Sequence, residues 1–117
     1  MSLASTKQEP DLLQSLIHKL KNKTAVIGVI GLGYVGLPLA LEKAKAGYRV
    51  IGFDVQEKKV NMVNSGINYI GDIVDEELRH MVGEQHLIAT SDYAFLSGVD
   101  AVAICVPTPL DIHQQPD

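Results

Sequence analysis

The chain has 117 residues, of which 46% are hydrophobic and 21% charged, with one cysteine and no tryptophan. That length can bury one core and bounds the chain to a single domain. A formal net charge of −4 with no basic stripe excludes an electrostatic footprint for nucleic acid, and the lone cysteine excludes an internal disulfide.

Residues 1–10 are polar and are expected to lack order up to Pro10. Asp11 is placed to cap a short helix with Leu12, Leu13, Leu16, Ile17 and Leu20 on one face, which completes a leader over residues 1–23. This segment is interrupted by His18 and Lys19 and is too short to span a bilayer, so the reading is a cytoplasmic protein with no membrane partner. A first strand is expected over residues 25–30 and a helix over 34–46, with Pro38 in the first turn and Gly47 as its stop. A second strand over 48–54 leads into a helix over 56–64 that ends near Gly66. Residues 67–74 have no regular pattern. Asp75, Glu76 and Glu77 open a helix over 75–82, where the helix dipole accounts for their charge.

A third strand at 87–90, a helical turn at 92–96 and a fourth strand at 101–106 follow. The fourth reads Ala-Val-Ala-Ile-Cys-Val without alternation, as a parallel strand covered on both faces does. Cys105 inside it reads as a small buried hydrophobe rather than a nucleophile. His18, His80, His86 and His113 have no metal-ligand spacing. The β-α-β alternation implies a Rossmann-like, doubly wound parallel sheet of order 3-2-1-4 over residues 24–117, stopping after about four strands.

The most informative run is Val26-Ile27-Gly28-Val29-Ile30-Gly31-Leu32-Gly33-Tyr34-Val35-Gly36-Leu37-Pro38. A strand, a glycine turn and a helix N-terminus in that order form a phosphate cradle. Gly31 makes the tight turn, Gly33 lets backbone approach a pyrophosphate, and Gly36 lets the helix pack close to the strand. Asp54, about 18 residues beyond Gly36, ends the second strand where an acid meets adenosine ribose hydroxyls. A 2′-phosphate would face that like charge, so the expected cofactor is NAD rather than NADP. Lys58 and Lys59 are most simply a solvated helix face.

With Leu39-Ala40, Gly52-Phe53-Asp54-Val55, Lys59-Val60 and Cys105-Val106-Pro107-Thr108-Pro109, this block resembles the N-terminus of the UDP-glucose/GDP-mannose dehydrogenase family. Gly66-Ile67-Asn68-Tyr69-Ile70-Gly71-Asp72-Ile73 is similar to the branch acting on UDP-N-acetylhexosamines. The resemblance implies oxidation of a sugar C6 alcohol to a carboxylate in two steps, using two NAD molecules and a cysteine nucleophile that lies outside this sequence. It implies pyrophosphate contacts from Gly31, Gly33, Tyr34, Val35 and Gly36, adenosine contacts from Asp54, Val55 and Lys59, and nicotinamide-ribose contacts from Val106, Pro107 and Thr108. Thr108 matches a threonine that orders water beside the reacting carbon, which makes it the catalytic candidate here. A UDP-sugar substrate and a homo-oligomer are the implied partners. A stand-alone NAD-binding or interaction module, and a β-hydroxyacid-type dehydrogenase, are the alternatives.

Overall fold

The computed structural model describes residues 3–71 and 73–105, with side chains from Asp11 onward. Helix α1 spans Leu3–Asn22, followed by β1 (Val26–Ile30), α2 (Gly36–Lys45), β2 (Arg49–Phe53), α3 (Glu57–Asn64), α4 (Asp75–Gly83), β3 (Leu87–Thr90), a 3-10 helix at Tyr93–Gly98 and β4 (Ala101–Ile104). All pairings are parallel, in the order β3-β2-β1-β4. Thr108, Val106 and Pro107 lie outside the described residues.

The leader departs from the sequence expectation. Helix α1 starts at Leu3 and runs through Pro10, rather than opening at Asp11 after a disordered stretch. Ala, Lys, Gln and Glu within residues 4–9 are good helix formers, and this preference outweighs the one donor that proline removes. Its C-terminal end is tied to the sheet. Lys19 Nζ meets Asp100 Oδ1 at 3.0 Å, and the Tyr48 hydroxyl donates to the Leu20 carbonyl at 2.9 Å.

Gly47 ends α2 at φ +110° and Gly66 follows α3 at φ +72°, both in the left-handed region that glycine adopts without strain. Residues paired across a parallel ladder share a face. Val29 pairs with Gly52 and Ala103, and Val50 with Leu87. Val29, Val50 and Leu87 join Leu37, Ala40, Val60, Val63, Ile70 and Leu78 in one buried cluster beneath α2, α3 and α4.

The other face carries Ile51, Ile88, Val102 and Ile104, and among the described residues the 3-10 helix is the element laid over part of it. Phe53 is buried there against Tyr93, with ring centroids 5.5 Å apart. Val102 is 45% exposed and Ile104 70%, while Ala101 and Ala103 between them are half-buried. This corrects the expectation that β4 is covered on both faces. Its apolar run reflects what each face could bury, and one face lacks a helix among the described residues.

At the far side of the sheet, Asn64 completes the outer edge of β3. Its side-chain Nδ2 donates to the Ala89 carbonyl at 2.8 Å, and its Oδ1 accepts from the Ala89 N–H at 2.8 Å.

Candidate functional site

The site lies where β1, β2 and β4 end together. Strand β1 connects onward to β2 on one side, and β4 lies on its other side, so the carboxyl ends open a crevice at the point where the strand order reverses. The cleft there has a volume of about 760 Å³. Seven of the sequence-derived residues line it: Gly31, Gly33, Tyr34, Val35, Asp54, Val55 and Lys59.

The turn is built from both sides. The Gly31 N–H donates to the Phe53 carbonyl at 2.7 Å, and Gly31 takes φ +96°, the left-handed value a tight turn needs. A Cβ on Gly36 would lie 1.5 Å from the Gly31 oxygen, so only glycine lets α2 start this close to the strand end. Gly33 contributes differently from Gly31. Its φ is not in the left-handed region, and a Cβ there would meet nothing within 4 Å. The open space before Gly33, rather than its backbone angle, is what suits a phosphate group.

Asp54 is 7% exposed, and its carboxylate is engaged by the protein itself. Oδ2 accepts the Leu32 N–H and Oδ1 the Gln56 N–H, each at 2.9 Å. A carboxylate has about four acceptor positions, so these two bonds leave capacity for a diol on the cleft side. Two tyrosines sense its charge. Burial pushes the Tyr69 phenol up to about 12, and the Asp54 charge adds to the shift. Tyr93 is raised by the same two causes in the same order.

The structure also brings in residues that the sequence reading left out. Gln56, Ile104 and Cys105 line the cleft. Cys105 is half-buried rather than buried: its N–H still pairs with the Ile30 carbonyl at 2.7 Å, and at the strand's end the residue forms part of the cleft wall. Tyr69 donates its hydroxyl hydrogen to the Leu32 carbonyl at 2.7 Å from a loop with no regular pattern. A lone aromatic among the isoleucines of that loop is the sequence signal for it. A second groove of about 520 Å³ lies across Tyr34 and Val35, lined by Pro38, Ile73 and Glu77, but it has neither the glycine turn nor the acid. Among the described residues, no group of three or more His, Cys, Asp or Glu is placed to hold a metal ion. No helix among them is long and apolar enough to cross a membrane.

The glycine turn, the acid and the crevice fit a dinucleotide, and comparison with known proteins decides the family. The profile of the UDP-glucose/GDP-mannose dehydrogenase family, NAD binding domain, matches residues 25–117. The chain belongs to this family. Its cofactor is NAD. UDP-N-acetyl-D-glucosamine 6-dehydrogenase of Salmonella typhi is 40% identical over 91 residues, 78% of this chain and 20% of that protein. UDP-N-acetyl-D-mannosamine dehydrogenase of Pyrococcus horikoshii is 38% identical over 85 residues, 72% of this chain and 20% of that protein.

Solved structures of the family superpose on the same region. The Pyrococcus horikoshii UDP-D-ManNAc dehydrogenase matches with a TM-score of 0.68 and 36% identity, covering 72% of this chain and 20% of its own. A ternary complex of GDP-mannose dehydrogenase from Pseudomonas aeruginosa matches with a TM-score of 0.67 and 33% identity, covering 71% and 20%. The chain therefore spans about one fifth of the length of these relatives.

Proposed function

We propose that this chain is the NAD-binding part of a nucleotide-sugar 6-dehydrogenase that oxidises the C6 alcohol of a UDP-N-acetylhexosamine. The observation that carries the cofactor half is Asp54 and the Gly31–Gly33 turn on one cleft, joined by the bond from the Leu32 N–H to the Asp54 carboxylate. The substrate half is supported by the family membership and by relatives named for N-acetylated sugars. Bound NAD supplies the hydride acceptor.

In this reading, the chain's own residues bind and orient. Asp54 accepts the adenosine ribose hydroxyls, with Val55 and Lys59 beside it. Gly31, Gly33, Tyr34 and Val35 face the pyrophosphate, and Gly36 holds the helix N-terminus against the turn so that its dipole favours the phosphates. Val106, Pro107 and Thr108 serve the nicotinamide end, with Thr108 ordering water near the reacting carbon. The chain alone turns over no nucleotide sugar, because the nucleophilic cysteine of such a reaction is not among its residues. Self-association belongs to the same proposal and is supported by β4 at the sheet edge with Val102 and Ile104 exposed.

Calorimetric titration with NAD tests the cofactor half. Asp54→Ala is expected to weaken binding by about 1–3 kcal/mol, the range for a charged hydrogen-bond partner. Unchanged affinity removes Asp54 from the site. Steady reduction of NAD by a UDP-sugar with this chain alone overturns the assignment of the chemistry to residues outside it.

A further inference from the structure

Leu32 is the middle residue of the glycine turn, and three separate contacts hold it. Its N–H donates to Asp54 Oδ2 at 2.9 Å, and its carbonyl accepts from the Tyr69 hydroxyl at 2.7 Å. Its buried side chain lies over the bare Cα of Gly52, where an added Cβ would come within 2.7 Å of Leu32 Cδ2. Asp54 and Gly52 both belong to the β2 segment that any such fold supplies. Tyr69 does not. It comes from the loop between α3 and α4, about 37 residues along the chain from the carbonyl it holds.

That loop is stiffened where it carries Tyr69. Asn68 Oδ1 accepts the Ile70 N–H at 2.7 Å, and Asn68 Nδ2 reaches Asp75 Oδ1 at 2.7 Å, at the start of α4. Ile70 is buried in the core. The tyrosine is thus bracketed by anchors on both sides. Its hydroxyl stays protonated at every working pH, since burial and the Asp54 charge hold it near 12, so it is always a donor.

A trans peptide is planar, and its C=O and N–H point in opposite directions. The Leu32 carbonyl and the Gly33 N–H belong to one peptide, so fixing the first fixes the second. We infer that Tyr69 is a positioning residue of the dinucleotide turn, holding the Leu32 carbonyl so that the Gly33 N–H keeps the direction a pyrophosphate needs. This rests on the reading of the cleft as the NAD site, and it gives the 67–71 segment a part in cofactor binding. Without the hydroxyl, the Leu32–Gly33 peptide loses its anchor on the carbonyl side, and the open space at Gly33, where an added Cβ would meet nothing within 4 Å, supplies no packing in its place.

The experiment compares the chain with Tyr69→Phe, which keeps the ring and its packing. Amide chemical shifts follow titrations with NAD, ADP-ribose and adenosine, and hydrogen exchange is read at Leu32. The expected result is a Kd for NAD and ADP-ribose raised about three- to tenfold, the effect of one lost hydrogen bond, with adenosine within about twofold. Exchange at Leu32, whose N–H is bonded to Asp54, is expected to quicken while β1 and β2 amides keep their protection. An unchanged ADP-ribose Kd, unchanged exchange at Leu32, or equal weakening of adenosine and ADP-ribose overturns the inference. A native chain that takes up none of the three ligands overturns the cofactor reading instead, and the exchange arm still decides whether Tyr69 holds the turn.

Discussion

The two faces of the sheet are made by the same four strands and have similar apolar content, yet they are in different states. One carries Val29, Val50, Leu87 and Ala89, all buried under α2, α3 and α4. The other carries Ile88, Val102 and Ile104 in contact with solvent, and among the described residues Phe53 is the large side chain fully buried there, under Tyr93. Composition therefore reports what a strand is able to bury. Whether it does so depends on a covering element, and the crossover between β3 and β4 supplies a short 3-10 helix where the others supply α-helices.

The largest effect should come from prising the covered face apart at its tightest point. Gly36→Val places a branched side chain against the Gly31 backbone and is expected to cost about 3 kcal/mol or more, read as loss of a cooperative thermal transition. A near-native melting curve would show that α2 can move away without harm. Next comes a direct contrast of the faces. Leu78→Ala, at the buried residue of α4, should lower stability by about 2–5 kcal/mol in urea titration, whereas Ile104→Ala should change it by less than about 1 kcal/mol. Equal losses would mean that the second face is covered after all.

Charging the exposed face should alter association more than folding. With Val102→Lys and Ile104→Lys together, sedimentation is expected to shift from self-associated native chain to monomer, with stability changed by less than about 1 kcal/mol. A native chain that is already monomeric breaks the link between this face and assembly. The smallest effect lies at the base of the sheet. The Val26 N–H, and then Lys19, hold the Asp100 carboxyl below the usual carboxylate range. A carboxyl depressed in the folded state adds stability above its unfolded pKa and loses it as pH falls through the folded value. Native chain should therefore lose slightly more stability than Asp100→Asn as pH drops below about 4, and parallel curves would remove the pair from the balance.

The order of strands and the place of the cleft were legible because they follow from local rules. The strand–glycine–helix run and the acid at the end of β2 define a crossover of known hand, and Gly47 and Gly66 stop their helices where their backbone angles require glycine. Contacts distant in sequence were not legible. Nothing in Tyr69 itself announces a bond to Leu32, and nothing in the apolar run over 101–106 says that Cys105 lines the cleft. The start of α1 is hidden for a third reason: a proline at position 10 reads as a break, while its neighbours favour helix on both sides.

Asn64 gives the sheet a direction of growth. Strand β3 turns the carbonyls of His86 and Thr90 toward β2, so the N–H and C=O of Ala89 face the opposite way, and the Asn64 amide takes both. One side chain thereby imitates the backbone of a missing neighbour and stoppers that margin of the sheet. Two copies meeting through β4 would each present a plugged margin outward, so such a pairing ends at two. Without the Asn64 amide, β3 would offer the Ala89 N–H and C=O as a second open margin, and a β3 contact added to the β4 one would carry the pairing beyond two. A residue remote from the cofactor cleft would thus decide whether pairing through β4 stays finite.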